Sequence, residues 1–349
     1  MRLGLNLGYW GGGDNAQNLA LARAADELGY AVVWAAEAYG SDAPTVLAWV
    51  AAQTERIDVG SAVMQIPART PATTAMTAAT LDSLSGGRFR LGLGVSGPQV
   101  SEGWHGVRFD HPLARTREYV EIVRLALSRQ RLAHDGEHWR LPLPDGPGKA
   151  LQLTVHPVRP SIPVYLASIG PRNLELTGEI ADGWLGVFYA PEHAGESLEL
   201  IRAGRSAAGR TMDGFDVVPT VPVSVGDDLE ACAAPVRAYS ALYLGGMGSR
   251  TQNFYNALAV RMGFGDAART VQDLFLDRLH REAAAAVPLE FVDRTALIGP
   301  PERIRDRLHA YAESGVTTLS VAAHAGPLEA RLAALRTVAE ALDAAGLAS

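Results

Sequence analysis

Short apolar runs alternate with apolar-periodic segments along nearly the whole of this chain, and that rhythm restricts the fold more than any single motif does. Each run ends at a turn marked by glycine, proline or small residues. The segment after it then carries apolar residues at helical spacing. Strands are expected over 2–7, 31–34, 57–63, 88–93, 164–167, 183–186, 217–225 and 317–321. Helices are expected from a Gly11-Gly12-Gly13 turn and a capping Asp14 up to Gly29, over 44–54, 70–84, 113–128, 300–314 and 327–345, and onward from Gly170-Pro171. Eight strand–helix units in 349 residues predict a (β/α)8 TIM barrel rather than a doubly wound sheet. The rhythm breaks twice. Residues 130–160 hold Asp135-Gly136 and several prolines, which suits a hairpin excursion. Residues 245–295 open with Gly245-Gly246-Met247-Gly248 and look helical over 266–285. That insertion reads either as a lid hinged on its glycines or as a surface elaboration. No linker divides the chain, so one domain over 1–349 is expected.

Composition narrows the function. Apolar residues make up 48% and the net charge is −7, as for a water-soluble protein with a large core. No basic helix face is present, which argues against nucleic acid. No apolar run reaches membrane-spanning length, and no leader is apparent at the start. The single Cys232 has no partner for an internal disulfide, so a reducing cytoplasm is expected. Lys149 is the only lysine and lies in a glycine-proline loop, which argues against imine catalysis. That loop lacks Walker A spacing, and no G-x-S-x-G elbow occurs. His134 and His138 are spaced like metal ligands on a helix, but Asp135-Gly136 makes the segment a turn, so no metal is expected.

In a barrel, chemistry collects where strands end. That rule selects Asn6, Glu37, 63–67, 94–98, 168–173, 184–188 and His324. The sharpest of these is Ser168-Ile169-Gly170-Pro171-Arg172-Asn173. Proline at a first helical turn leaves nearby amides free, the helix dipole adds partial positive charge, and Arg172 adds a full one. This is a phosphate-sized anion site, or an ordinary turn satisfied by water. Glu37 follows an apolar strand, and an apolar neighbourhood there would raise its pKa and let it carry a proton; otherwise it is a solvated loop residue. Gly92-x-Gly94-x-x-Gly97 matches the dinucleotide pattern, but the next helix is expected only near residue 113, so the glycines are read as letting backbone pass beside a flat ligand. His105 is an acid or substrate hydrogen-bond donor, or a surface histidine.

Taken together, Ala36-Glu37-Ala38, the stretch 60–71, Leu84-Ser85-Gly86-Gly87-Arg88-Phe89, 91–94 and Ser168-Ile169-Gly170-Pro171 resemble the bacterial luciferase-like superfamily, in its branch of coenzyme F420-dependent oxidoreductases. The resemblance covers almost the full length. It implies a (β/α)8 barrel, often dimeric, that binds F420 or FMN at its carboxyl face. It implies a deazaflavin contact at Glu37 and a bulge with a non-proline cis peptide at Ala62–Val63 behind the ring. Further contacts are implied at Gln65, Ser96 and Gly97, with the phosphate held by Ser168, Ile169, Gly170, Pro171 and Arg172. Trp10, Tyr39, His105 and Trp184 are the expected pocket walls. Two departures matter. Alcohol- and sugar-phosphate-oxidising branches carry histidine where this chain has Ala38, and the sugar-phosphate branch carries a catalytic glutamate near Pro98. A sugar-phosphate dehydrogenase is therefore not expected; methylenetetrahydromethanopterin reductases are nearer. The reading is an F420-dependent oxidoreductase that exchanges hydride with a small organic substrate. Its rivals are an FMN-dependent monooxygenase and a non-catalytic cofactor carrier.

Overall fold

Eight parallel strands close on themselves in the computed structural model, which describes residues 1–10, 15–323 and 326–349. They are β1 (Arg2–Tyr9), β2 (Val32–Ala36), β3 (Asp58–Ser61), β4 (Phe89–Gly94), β5 (Val164–Ala167), β6 (Gly183–Val187), β7 (Asp216–Val225) and β8 (Thr318–Ala322). Each pairs with the next, and β8 pairs with β1. The (β/α)8 barrel expected from the sequence is the observed architecture. The glycine turn at 11–13, Asp14 and His324 lie outside the described residues.

The helices packed outside are α1 (Asn15–Glu27), α2 (Ala43–Ala51), α3 (Pro71–Leu84), α4 (Pro112–Leu127), α5 (Pro171–Ile180), α6 (Ala194–Ala207), α7 (Pro301–Glu313) and α8 (Leu328–Ala344). Proline occupies the first turn of α3, α4, α5 and α7, where no intrahelical N–H bond is lost. Asp42 caps α2 through the Thr45 amide, and Thr70 caps α3 through that of Thr73. No described helix is long and apolar enough to cross a membrane.

The barrel lumen is filled in layers. At the amino ends of the strands Arg90 bridges Asp58 at 2.8 Å and Asp216 at 3.1 Å, and the Tyr165 hydroxyl donates to Asp216 at 3.0 Å. Above them Val32, Trp34, Tyr165, Leu185 and Val218 form an apolar plug. The Trp34 ring leaves no room for a side chain at residue 60, since a Cβ on Gly60 would lie 2.4 Å from it. With the lower lumen filled, a cavity is left only toward the carboxyl ends.

The first insertion contains the expected hairpin, His134–Asp135 against Arg140–Leu141. His134 faces Glu118 there at 3.3 Å. The second insertion departs from expectation. The helix over 266–285 is two helices, Gly265–Leu276 and His280–Ala285, broken where Arg278 turns left-handed (φ 64°). Helices Phe254–Arg261 and Leu289–Thr295 and the strand Leu297–Gly299, which pairs in parallel beside the carboxyl end of β7, were not legible in the pattern. The glycines are not hinges in open space. Helix Leu229–Ala241 runs on into a π-turn, Leu242–Gly246. A Cβ on Gly245 or Gly246 would lie 2.3 or 2.5 Å from the Phe275 side chain. These glycines allow close packing onto Gly265–Leu276.

Candidate functional site

A cavity of about 920 Å³ occupies the carboxyl face. One end is built by the β5–α5 junction. The loop leaves β5 at Ala167, and α5 begins at Pro171 with Gly170 as its extended cap (φ −75°, ψ 148°). Asn173 and Leu174 donate to the Gly170 carbonyl, while the amides of Ile169, Gly170 and Arg172 donate to no described residue. A Cβ placed on Gly170 would meet nothing within 4 Å. Arg172 is exposed and forms no ion pair among the described residues. Residues 168–173 all line the cavity. The loop is held from behind. Trp184 Nε1 donates to the Ser168 carbonyl at 2.9 Å, Thr177 donates to Ser168 Oγ at 2.8 Å, and Arg261 donates to the Ile169 carbonyl at 3.1 Å.

The wall facing it is the end of β3. The expected strand over 57–63 breaks after Ser61; the Ala62–Val63 peptide is cis, and the chain rejoins the sheet at Met64–Gln65 beside Leu93 and Gly94. The glycine pattern on β4 makes room for this bulge. A Cβ on Gly92 would sit 1.8 Å from the Ser61 carbonyl oxygen, and one on Gly94 would sit 2.6 Å from a Val63 methyl. Residues two apart on a strand share a face, so the pair receives one protrusion. A Cβ at either glycine would meet the bulge, while Gly94 also lines the cavity. The helix expected only near residue 113 is also preceded by a short one, Pro98–Gly103, which Gly97 caps.

Glu37 lies beneath the bulge, and its surroundings are not apolar. Oε1 accepts from the Gln65 amide at 3.0 Å and from Arg69; Oε2 accepts from the Ala43 amide at 3.1 Å and from Arg69 Nη2 at 3.0 Å. Arg69 also pairs with Asp42. The Glu37 and Arg69 side chains are 6% and 16% exposed. Burial works against the Arg69 cation, but its bonds to Glu37 and Asp42 raise its pKa above the ordinary value. The carboxylate thus accepts four hydrogen bonds and ties β2, α2 and the bulge together. Arg69 was missed as a site residue because its partner is 32 positions away. Gln65 is likewise committed: Nε2 donates to the Ala38 carbonyl at 2.7 Å, and Oε1 accepts from Ser96 Oγ at 2.7 Å. Ser96 adopts φ 62° to reach it.

Asn6, Glu37, Tyr39, Ala62, Val63, Gln65, Ser96, Gly97 and residues 168–172 all border the cavity. Three expected walls do not. Trp10 follows Tyr9 and points the opposite way, into the strand–helix layer, with its ring edge-on to Trp49 at 5.7 Å. Trp184 also faces outward, toward Tyr189, and acts by holding the Ser168 carbonyl. His105 lies beyond the short helix, away from the cavity. The missed lining residues include six aromatics: Tyr9, Phe109, Tyr239, Tyr243, Phe254 and Tyr255.

Comparison with known proteins agrees with this geometry. The family described as luciferase-like monooxygenase matches residues 6–318. A Mycobacterium tuberculosis protein, assigned by name to the coenzyme F420-dependent oxidoreductases, is 44% identical over 342 residues, which is 96% of this chain and 99% of that one. The 5,10-methylenetetrahydromethanopterin reductase of Archaeoglobus fulgidus is 28% identical over 87% of this chain and 88% of its own. Among solved structures, the coenzyme F420-dependent tetrahydromethanopterin reductase from Methanopyrus kandleri superposes with a TM-score of 0.83 at 22% identity, covering 97% of each chain.

Proposed function

The chain belongs to the luciferase-like monooxygenase family of enzymes, and from that footing we propose that it is a coenzyme F420-dependent oxidoreductase moving a hydride between the deazaflavin and a small organic substrate. The observation that carries the reading is the cradle at the β5–α5 junction, where free amides, a helix N-terminus and an uncommitted guanidinium converge on open space. These residues fit a phosphate. A flat ring system reaching from there across the cavity would end against Ala62 and Val63. When bound, a deazaflavin supplies the hydride chemistry; the protein supplies binding, orientation and exclusion of water.

Arg172 and the amides of Ile169, Gly170 and Arg172 would hold the cofactor's phosphate. Trp184, Thr177 and Arg261 fix the loop that presents them. Val63 presents an apolar face to the ring, and Gly92 and Gly94 seat the bulge that carries it. Glu37 enters as a positioning residue, because donors surround both its oxygens and it acts through Gln65 and Arg69. The same cradle would take the phosphate of FMN; the names of the relatives favour F420. Gly170→Glu puts a carboxylate into the cradle, and Arg172→Ala removes its cation. Fluorescence titration should show F420 affinity falling at least about tenfold for Gly170→Glu. The melting temperature should not move, since the new side chain meets nothing. Unchanged affinity in both variants would remove the phosphate from this loop.

A further inference from the structure

Part of the cavity rim is built of phenols. Tyr9 ends β1, Tyr239 and Tyr243 stand one turn apart on Leu229–Ala241 and its π-turn, and Tyr255 comes from Phe254–Arg261. The rings of Tyr239 and Tyr243 lie 4.7 Å apart and those of Tyr243 and Tyr255 4.9 Å apart, with Phe188 packed behind all three. Tyr9 and Tyr243 both line the cavity, and the Tyr243 ring packs on those of Tyr239 and Tyr255. Burial raises the pKa of Tyr239, Tyr243 and Tyr255, most strongly that of Tyr243, so they remain protonated donors. Their neighbours in the cavity, Leu242, Met247, Gln252, Phe254, Phe109 and Leu113, carry no charge. Among the described lining residues only Glu37 and Arg172 carry a carboxyl or guanidinium group; the first is enclosed by four donors and the second belongs to the cradle.

We propose that this end of the cavity takes an uncharged, largely apolar substrate bearing one carbonyl or hydroxyl oxygen, and that the Tyr9 and Tyr243 phenols receive that oxygen. The proposal rests on the reading that the cradle end holds the cofactor, which leaves the phenol end to the substrate. A phenol both donates and accepts, so the pair suits a ketone and the corresponding alcohol alike. A carboxylate or phosphate entering here would lose its hydration and meet no cation among the described residues.

Two probes with one ring system separate charge from shape: 2-acetonaphthone and 2-naphthoate, titrated calorimetrically into the full-length protein without cofactor. The ketone is expected to bind at least about tenfold more tightly than the carboxylate. Tyr243→Phe and, independently, Tyr9→Phe should each weaken ketone binding about three- to tenfold, the effect of one lost hydrogen bond, and leave F420 affinity as it was. The second variant keeps the test valid if the first folds poorly, which a melting curve reveals. Carboxylate binding as tight as that of the ketone, no ketone binding, or ketone affinity unchanged in both folded variants would each overturn the proposal. Because cofactor is absent from these titrations, their failure is distinct from a failure to bind F420.

Discussion

Arg69→Met removes the cation that holds Glu37, and the structure sets the size of the effect. The Glu37–Arg69 pair is nearly enclosed, at 6% and 16% exposure, whereas Asp42, the other partner, is 48% exposed. An exposed arm of this kind contributes about 0–1 kcal/mol. Removing one partner of a buried pair costs about 3–5 kcal/mol, because the remaining charge is left uncompensated. The amides of Gln65 and Ala43 still serve Glu37 in the variant, which favours the lower end, about 3 kcal/mol. Unfolding entropy of about 2.1 cal/mol/K per residue over 349 residues converts that loss to a fall of about 4 °C in Tm, readable by calorimetry. Adding Glu37→Gln removes the stranded charge. The double variant should therefore recover most of the loss, leaving about 1 kcal/mol. A single-variant loss under about 1 kcal/mol, or a double variant as unstable as the sum of the singles, would refute the view of Glu37 as a clamp held by Arg69.

Gly92→Ala forces a methyl onto the Ser61 carbonyl and should cost about 1–3 kcal/mol and weaken F420 binding by displacing the bulge; Gly97→Ala, whose methyl has 3.7 Å of room, should cost much less, and equal melting shifts would contradict the assignment. At Glu118 burial pushes the carboxyl pKa up, but the amides of His138, Trp139 and Glu137 and the His134 ring outweigh it and leave it below the ordinary value. Such a group adds stability that is present above its unfolded pKa and lost as pH falls through its folded pKa. Glu118→Gln should therefore flatten the fall in Tm below about pH 4.3 and speed hydrogen exchange at residues 137–139; an unaltered acid profile would contradict this. Trp184→Phe deletes the donor to the Ser168 carbonyl and should weaken F420 binding about three- to tenfold, more than it weakens ketone binding; equal losses would place Trp184 in general packing instead.

The barrel was legible because each strand announces itself twice, as an apolar run and as the start of a turn. Strand β5 was expected over the residues it occupies, since Pro163 and the small residues after Ala167 bracket it. The helix start at the β5–α5 junction was legible for the same local reason: Gly170-Pro171 both ends a loop and opens a helix. What failed depended on direction or on distance. Tyr9 and Trp10 differ by one position at a strand end, and only the first faces the cavity. Trp184 and Leu185 divide in the same way, one to the helix layer and one to the lumen. Arg69 sits inside a recognisable stretch, yet its role exists only because β2 and β3 bring Glu37 beside it. Tyr239, Tyr243 and Tyr255 were missed because they come from the helical segment after β7, which a search confined to strand ends passes over. The four-residue spacing of Tyr239 and Tyr243 was the available signal.

The most direct test of the account is a side-by-side titration of the purified protein with F420 and with FMN, read from the absorption spectrum of each chromophore. Saturable binding of F420, lost in Gly170→Glu, with FMN bound at least about tenfold more weakly, is the expected result. Tight FMN binding with F420 ignored would contradict it.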